Sequence, residues 1–194
     1  MPYPGAEGTM RRLTGMTDLE VQRLTAWAAD RPLDELVDVY REAFTAPGYD
    51  ETPDDVERFR SSLPQHADRE GFRLVLGSRS GRLVGFAYGY TGRRGQWWTD
   101  QILARVPTSI TDVWVDGHFE FVELAVRPSE QGQGIGQALH DALQDDLPHR
   151  RALLGTWTDD RPARRLYLRS GWRELARIDE DSALLGIDLG DRSD

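Results

Sequence analysis

A strand, a glycine-rich turn, a helix and a second strand follow one another between residues 118 and 157. The sequence predicts the strands over His118–Val126 and Ala152–Trp157, with the helix over Gly134–Leu147 between them. Two strands joined through a helix pair in parallel, because the helix returns the chain to the same end of the sheet. The fold must therefore contain a parallel strand pair with a helix packed against it.

The other periodic segments add strands and helices on both sides of this block. Apolar residues recur every three or four positions between residues 30 and 44, 52 and 62, and 162 and 170, which predicts three further helices. Short apolar or alternating segments predict five further strands, over Val21–Thr25, Phe72–Leu76, Leu83–Tyr90, Trp172–Ile178 and Ala183–Leu189. The chain is therefore of the α/β class, with a mixed seven-stranded sheet and helices on its faces.

The length of 194 residues favours one compact domain over the whole chain. Residues 1–18 carry scattered proline and glycine without periodicity and are predicted to form an irregular lead-in. No apolar run approaches the roughly 20 residues of a membrane span, and the N-terminus lacks a signal-peptide pattern. The cytoplasm is the expected location, without a membrane partner.

Charge and residue usage exclude several classes of site. The chain contains no cysteine, which excludes disulfides, thiolate metal sites and cysteine nucleophiles. Its histidines and acids show no metal-ligand spacing, so no metal is predicted. A net charge of −9 argues against a nucleic-acid partner and favours a neutral or cationic one.

The glycine-rich turn suits a phosphate group. Gly132, Gly134 and Gly136 allow a tight turn and a close approach of backbone to ligand, and the following helix start offers unpaired N–H groups and a positive dipole end. A Rossmann fingerprint has different glycine spacing, and a Walker loop requires a lysine, which this chain lacks. A purely structural turn is the alternative.

Two motifs resemble the GNAT superfamily of N-acetyltransferases. The acyl-CoA loop of that family is similar to Gln131-Gly132-Gln133-Gly134-Ile135-Gly136, which follows Val126-Arg127-Pro128. A second family pattern is matched by Ala163, Tyr167 and Gly171-Trp172. The resemblance implies a mostly antiparallel seven-stranded sheet flanked by helices, and an acyltransferase that uses acetyl-CoA.

The resemblance also implies how the acyl donor binds. The pantetheine arm would pair along Leu124, Ala125 and Val126 as an added strand, and the pyrophosphate would lie on backbone N–H groups of the loop. The implied loop residues are Gln131, Gly132, Gln133, Gly134, Ile135, Gly136 and Gln137. Asp160 stands where the family has an asparagine that helps to hold the cofactor; an aspartate cannot donate the amide hydrogen bond.

Tyr167 occupies the family's general-acid position, where its phenol would protonate the departing thiolate; packing in the core is the alternative role. Glu120 and Glu123 both match positions at which family members carry a base, and on a regular strand they face opposite sides. Ordered water is a further route for the proton, and His118 is a minor candidate.

Residues 92–117 form an insertion expected near the substrate cleft. Trp97 and Trp98 could cover the acceptor amine; a helix packed on the core or at a homodimer interface is the alternative.

The expected reaction is transfer of an acetyl group to a primary amine of a small molecule. A protein N-terminal or lysine acetyltransferase and a non-catalytic acyl-CoA-binding regulator are the other hypotheses.

Overall fold

The computed structural model describes residues 8–12, 18–26, 33–49 and 51–190. Within them, the strands are β1 Gly8–Arg12, β2 Leu19–Leu24, β3 Arg73–Arg79, β4 Arg82–Gly92, β5 His118–Val126, β6 Arg151–Trp157, β7 Arg173–Arg177 and β8 Ser182–Asp188. The helices are α1 Leu33–Phe44, α2 Pro53–Ala67, α3 Trp97–Arg105, α4 Thr108–Trp114, α5 Ile135–Gln144 and α6 Pro162–Arg169. The chain divides into a first unit, residues 1–90 with 123–145, and a second unit, residues 91–122 with 146–194.

In the first unit, β1, β2, β3 and β4 pair antiparallel in chain order. α1 and α2 bury their apolar faces, and α5 packs against β2 and β3. Gly85 lets β4 approach the end of β5, because a Cβ there would lie 2.8 Å from the Ala125 carbonyl oxygen. The Arg127 guanidinium donates from Nε to the Leu83 carbonyl at 2.8 Å and also pairs with Glu42, which fixes the chain where it leaves β5.

In the second unit, β5 and β6 form the parallel pair, with Phe119 opposite Ala152. β8 pairs antiparallel with both β6 and β7. The helices α3 and α4 bury Ile102 and Trp114 in a cluster that also contains Leu153 of β6. In the part of the chain that the structure describes, no helix combines the length and apolar character needed to cross a bilayer.

The predicted fold class is confirmed. All seven predicted strands are present as β2 to β8, pairing is mostly antiparallel, and the parallel pair lies where the block between residues 118 and 157 requires it. Residues 1–18 were expected to be irregular, but residues 8–12 form β1, whose five backbone positions pair with β2. Residues 1–7 and 13–17 of that lead-in lie outside the described residues.

The predicted end of the second helix at Ser62 was too early. α2 continues to Ala67 with Pro64 inside it. Fully buried Leu63 lies one turn after Phe59, and this packing outweighs the hydrogen bond that Pro64 cannot make.

Candidate active site

The glycine-rich turn has the backbone of an anion site. Gly132 and Gly134 have φ angles of +74° and +81°, and Gly134 is the N-cap of α5. The first intrahelical bond of α5 runs from the Ala138 N–H to the Gly134 carbonyl at 3.0 Å. The N–H groups of Ile135, Gly136 and Gln137 precede that first bond, and N–H groups in this position point out of the helix end, where they suit a pyrophosphate. A Cβ added at Gly132 would meet no atom within 4 Å, so the space beside this turn is open.

Side chains hold this turn in place without covering it. Gln131 Nε2 donates to the Val126 carbonyl at 3.0 Å and so ties the turn to the end of β5. Arg79 Nη1 forms an ion pair with Glu130 and donates to Gln133 Oε1 at 2.9 Å. The turn is therefore anchored on β3 and β5.

Glu123 directly precedes the predicted pantetheine strand, residues 124–126. Its Oε1 accepts a hydrogen bond from the Leu124 N–H at 3.3 Å. Burial raises the pKa of the Glu123 carboxyl to about 8; the Leu124 N–H opposes this rise and the negative charge of Glu51 adds to it. A carboxyl with this pKa can take up a proton near neutral pH, which is the property of a general base.

Two groups around Glu123 were missed by the sequence analysis. Tyr40 of α1 is buried, and burial, followed by the charges of Glu123 and Glu51, raises the pKa of its phenol. Tyr40 also hydrogen-bonds the Glu51 side chain. No sequence signal marks Tyr40 or Glu51 as functional. Tyr40 fits the apolar pattern of α1, and Glu51 resembles any carboxylate in a loop.

Tyr167 is buried in the second unit, with 7% of its surface exposed. Its ring contacts Phe121 and Trp172 edge-on at centroid distances of 5.8 and 6.1 Å. These contacts fix the direction of the ring. The contacts agree with a packing role for Tyr167. A proton donor would also need a ring held in a fixed direction.

Glu120 and His118 lie at the start of β5 in the second unit. Glu120 is buried and lies opposite Leu153 in the parallel pair. His118 is 2% exposed, and neither of its ring nitrogens has a hydrogen-bond partner among the described residues. Burial, assisted by the nearby His149, lowers the pKa of His118 to about 4. His118 is therefore neutral at physiological pH.

The paired tryptophans of α3 have different surroundings. Trp98 packs against the apolar cluster of the second unit and lies 6.2 Å from the His118 ring, whereas Trp97 is 73% exposed. Core packing, the alternative raised for this segment, therefore applies to Trp98. Trp97 is free of the core and stays a candidate for substrate contact.

Asp160, the departure from the family pattern, is exposed and directly precedes the N-cap of α6. Arg165 Nη1 lies 3.0 Å from its Oδ2 and also donates to its backbone carbonyl. The carboxylate thus has a partner within its own helix region, and cofactor binding by Asp160 stays a prediction.

The sequence matches a known protein family. Residues 33–172 match the model of the acetyltransferase (GNAT) family, which covers both motifs and most of the chain. The chain belongs to the GNAT family. GNAT enzymes are acyltransferases whose acyl donor is acetyl-CoA, and the open glycine turn at α5 is suited to that donor.

Individual relatives agree with the family assignment. A GCN5-like protein acetyltransferase, Rv2170 of Mycobacterium tuberculosis, is 34% identical over 103 residues, which are 49% of this chain and 50% of that protein. The chain thus spans about half the length of this curated relative. A GNAT-family structure from Desulfovibrio desulfuricans is 16% identical, with a TM-score of 0.64 over 88% of this chain and 98% of its own.

A third relative was solved with the cofactor. PaiA N-acetyltransferase of Thermoplasma acidophilum, in complex with coenzyme A, is 13% identical, with a TM-score of 0.55 over 80% of this chain and 92% of its own. At this identity the likeness shows the GNAT fold.

Proposed function

We propose that this protein transfers the acetyl group of acetyl-CoA to a primary amine of a small cationic molecule, with Glu123 as general base. The observation that carries the proposal is the Glu123 carboxyl, which adjoins the predicted pantetheine strand and has a pKa of about 8. A base with its pKa near the working pH combines a useful fraction of carboxylate with a strong driving force for proton uptake.

The proposed reaction is a direct attack without an acyl-enzyme. The Glu123 carboxylate takes a proton from the acceptor ammonium, and the freed nitrogen lone pair attacks the thioester carbonyl carbon. The carbon–sulfur bond then breaks, the Tyr167 phenol donates its proton to the departing thiolate, and the new amide nitrogen loses its second surplus proton to solvent. Solvent returns a proton to Tyr167, and the Glu123 carboxyl releases its proton to solvent.

Glu120 is the alternative base. It is buried on the same strand, and a buried carboxyl on β5 has the same chemical capacity. Glu123 is preferred because burial, to which the charge of Glu51 adds, raises its pKa to about 8, and this supplies a physical cause for a base poised near neutral pH. The variants Glu123→Gln and Glu120→Gln separate the two: loss of the true base removes the acidic limb of the kcat/KM profile, and loss of the other leaves that limb in place.

A protein lysine or N-terminal amine is the second candidate acceptor. The relative from Mycobacterium tuberculosis that is 34% identical is named a protein acetyltransferase, which favours it. The carboxylates around Glu123 and the net charge of −9 favour a cationic acceptor of either kind. Charge favours both acceptors alike, so the two candidates are distinguished by comparing small amines with peptides.

The test is release of coenzyme A thiol with a panel of amines, polyamines, aminoglycosides and lysine peptides. The protein has no cysteine, so every thiol detected comes from coenzyme A. We expect a small cationic amine to give the highest kcat/KM and a product carrying one acetyl group by mass. Higher kcat/KM for peptides than for every small amine would assign the activity to proteins.

A further inference from the structure

The glycine-rich turn carries one charge of its own, and that charge is negative. Between residues 128 and 137 the only charged side chain is that of Glu130. A carboxylate at this place repels the phosphates of acetyl-CoA, and the net charge of −9 adds a long-range repulsion. A turn that binds this polyanion therefore needs a positive charge that compensates Glu130.

Arg79, the last residue of β3, supplies a positive charge at the turn. Its Nη1 pairs with Glu130 Oε2 and also donates to Gln133 Oε1 at 2.9 Å. Glu130 ends a short 3-10 helix just before the turn, and Gln133 directly precedes Gly134, the N-cap of α5. One guanidinium nitrogen thus binds side chains from both ends of the turn, and the Glu130 carboxylate is held at the turn itself.

The ion pair between Arg79 and Glu130 is partly shielded from water. The exposed fractions of the two side chains are 25% and 17%, and Arg79 Nε is buried without a hydrogen-bond partner among the described residues. Gln133 Nε2 donates to the Ser129 carbonyl at 3.3 Å, which closes the contact across the turn. Partial burial weakens solvent screening, so an unpaired Glu130 would repel a phosphate here more strongly than at an open surface.

We infer that Arg79 is a positioning residue that makes the glycine-rich turn able to accept a polyanion, because it neutralises Glu130 and holds Gln133. Arg79 acts through Glu130 and needs no contact with the phosphates. This role rests on the proposed function in one respect, the binding of the acetyl-CoA pyrophosphate at the turn. It does not depend on which residue is the base or on which amine is the acceptor, so binding of acetyl-CoA without acceptor measures it.

The test variant is Arg79→Met, with Arg82→Met as matched control. Arg82 lies opposite Arg79 in the hairpin of β3 and β4, is exposed, and makes no ion pair with the residues that the structure describes. Both substitutions remove one positive charge from the same hairpin, but only the first frees Glu130. In calorimetric titrations we expect the Kd of acetyl-CoA to rise about tenfold in Arg79→Met and less than about threefold in Arg82→Met.

Removal of the carboxylate should restore binding to the Arg79→Met protein. In the double variant Arg79→Met with Glu130→Gln the repelling charge is gone, so the Kd should return to within about threefold of the wild-type value. Structural damage caused by loss of the arginine would not be repaired by the second substitution. An arginine that bound the phosphates directly would also leave the double variant weak. Recovery is therefore specific to neutralisation of Glu130.

The steady-state constants supply a second readout. Since Arg79 acts on donor binding, Arg79→Met should raise the KM for acetyl-CoA and leave kcat at saturating acetyl-CoA within about twofold of the wild-type value. A lowered kcat with an unchanged KM would contradict this role.

Three results overturn the inference: an unchanged Kd in Arg79→Met, an equal loss of affinity in Arg82→Met, or a double variant that binds as weakly as Arg79→Met. Gly136→Leu, which fills the turn, separates this failure from failure of the proposed function. Weak binding in Gly136→Leu keeps the turn as the pyrophosphate site, whereas unchanged binding in both Gly136→Leu and Arg79→Met refutes that site as well.

If Arg79→Met fails to fold, Glu130→Gln alone tests the same role. This variant keeps Arg79 and removes the charge that Arg79 neutralises, so the Kd of acetyl-CoA should fall by about threefold. An unchanged or raised Kd in Glu130→Gln overturns the inference.

Discussion

The ring of His118 lies directly against the backbone of Gly92: a Cβ added at Gly92 would be 2.3 Å from both Cε1 and Nε2 of His118. Glycine is required here for space, because Gly92 does not adopt the left-handed backbone found at Gly117. The His118 ring is buried and cannot move aside without disturbing the apolar cluster beneath Trp98.

Gly92→Ala should therefore lower the free energy of unfolding by about 1–3 kcal/mol, the usual cost of overpacking. The matched control is Gly155→Ala, because a Cβ there would meet Trp98 at an ordinary 3.5 Å. Urea unfolding of both variants measures the difference. In a His118→Ala background the Gly92→Ala substitution should cost much less; an equal cost in both backgrounds would refute the steric explanation.

The buried His118 also predicts a loss of stability in acid. Its pKa is about 4 in the folded protein, against an ordinary value of 6.5. The unfolded chain therefore binds the proton first, and stability falls as the pH drops from 6.5 towards 4. The contribution of His118 reaches on the order of 3 kcal/mol below that window.

His118→Leu should remove this part of the pH dependence. Burial also lowers the pKa of His66, which keeps its own acid dependence in the variant, while Glu123, whose pKa is raised, contributes the opposite slope. The quantity to measure is therefore the difference in unfolding free energy between variant and wild type at pH 7 and pH 4.5. A difference that is the same at both pH values would mean that His118 takes up its proton equally well in the folded state.

The prediction that the glycine-rich turn binds the pyrophosphate can be tested at Gly136 more cleanly than at Gly134. Gly134 has φ of +81°, so a side chain there would strain the backbone, whereas Gly136 lies inside α5. Gly136→Leu should weaken acetyl-CoA binding at least about tenfold by blocking phosphate approach, with little loss of helix stability. Calorimetric titration measures the affinity, with Gly136→Ala as the conservative control. Wild-type affinity in Gly136→Leu would exclude this turn as the pyrophosphate site.

The glycine-rich turn and the candidate base differ in how far they could be predicted from the sequence. The turn was predictable because its glycines, its strand and its helix are consecutive, and each contributes a local signal. Glu120 and Glu123 could not be ranked from the sequence. Burial distinguishes Glu123, and the charge of Glu51, 72 positions earlier in the chain, adds to its effect only in the folded protein.

The sequence offered a helix in the 92–117 segment only as an alternative, and it did not give the bounds of α3 and α4, for a local reason. α3 begins after Gln96 and α4 after Pro107, and neither N-cap side chain makes a capping hydrogen bond. Without the usual start signals, burial of Ile102 and Trp114 stabilises these helices, and burial is a tertiary property. Strand β1 was also not predicted. It pairs with β2 through backbone groups, and backbone pairing leaves no local signal in the sequence.

Tyr167→Phe separates the proton donor from the packing role. Phenylalanine keeps the ring contacts with Phe121 and Trp172 but has no proton to donate. We expect unchanged acetyl-CoA affinity and a kcat lowered about 10- to 10⁴-fold. Tyr88→Phe is the control: it removes another buried phenol, bonded to His66 at 3.1 Å, and should lower stability without lowering kcat. Equal kcat in Tyr167→Phe and wild type would assign Tyr167 to the core.

The adjacent tryptophans of α3 should give opposite results when each is replaced by alanine. Trp97 is 73% exposed, so Trp97→Ala should leave the melting temperature nearly unchanged. If the Trp97 ring contacts the acceptor, the KM for the acceptor rises several-fold in this variant, while the KM for acetyl-CoA stays constant. Trp98 packs on the apolar cluster, and Trp98→Ala should lower the free energy of unfolding by about 2–4 kcal/mol. Steady-state kinetics, thermal melts and size-exclusion chromatography distinguish the cases. Loss of a dimer in Trp97→Ala with normal kinetics would make this face a subunit interface, since an exposed indole is also what a second copy of the chain would bury.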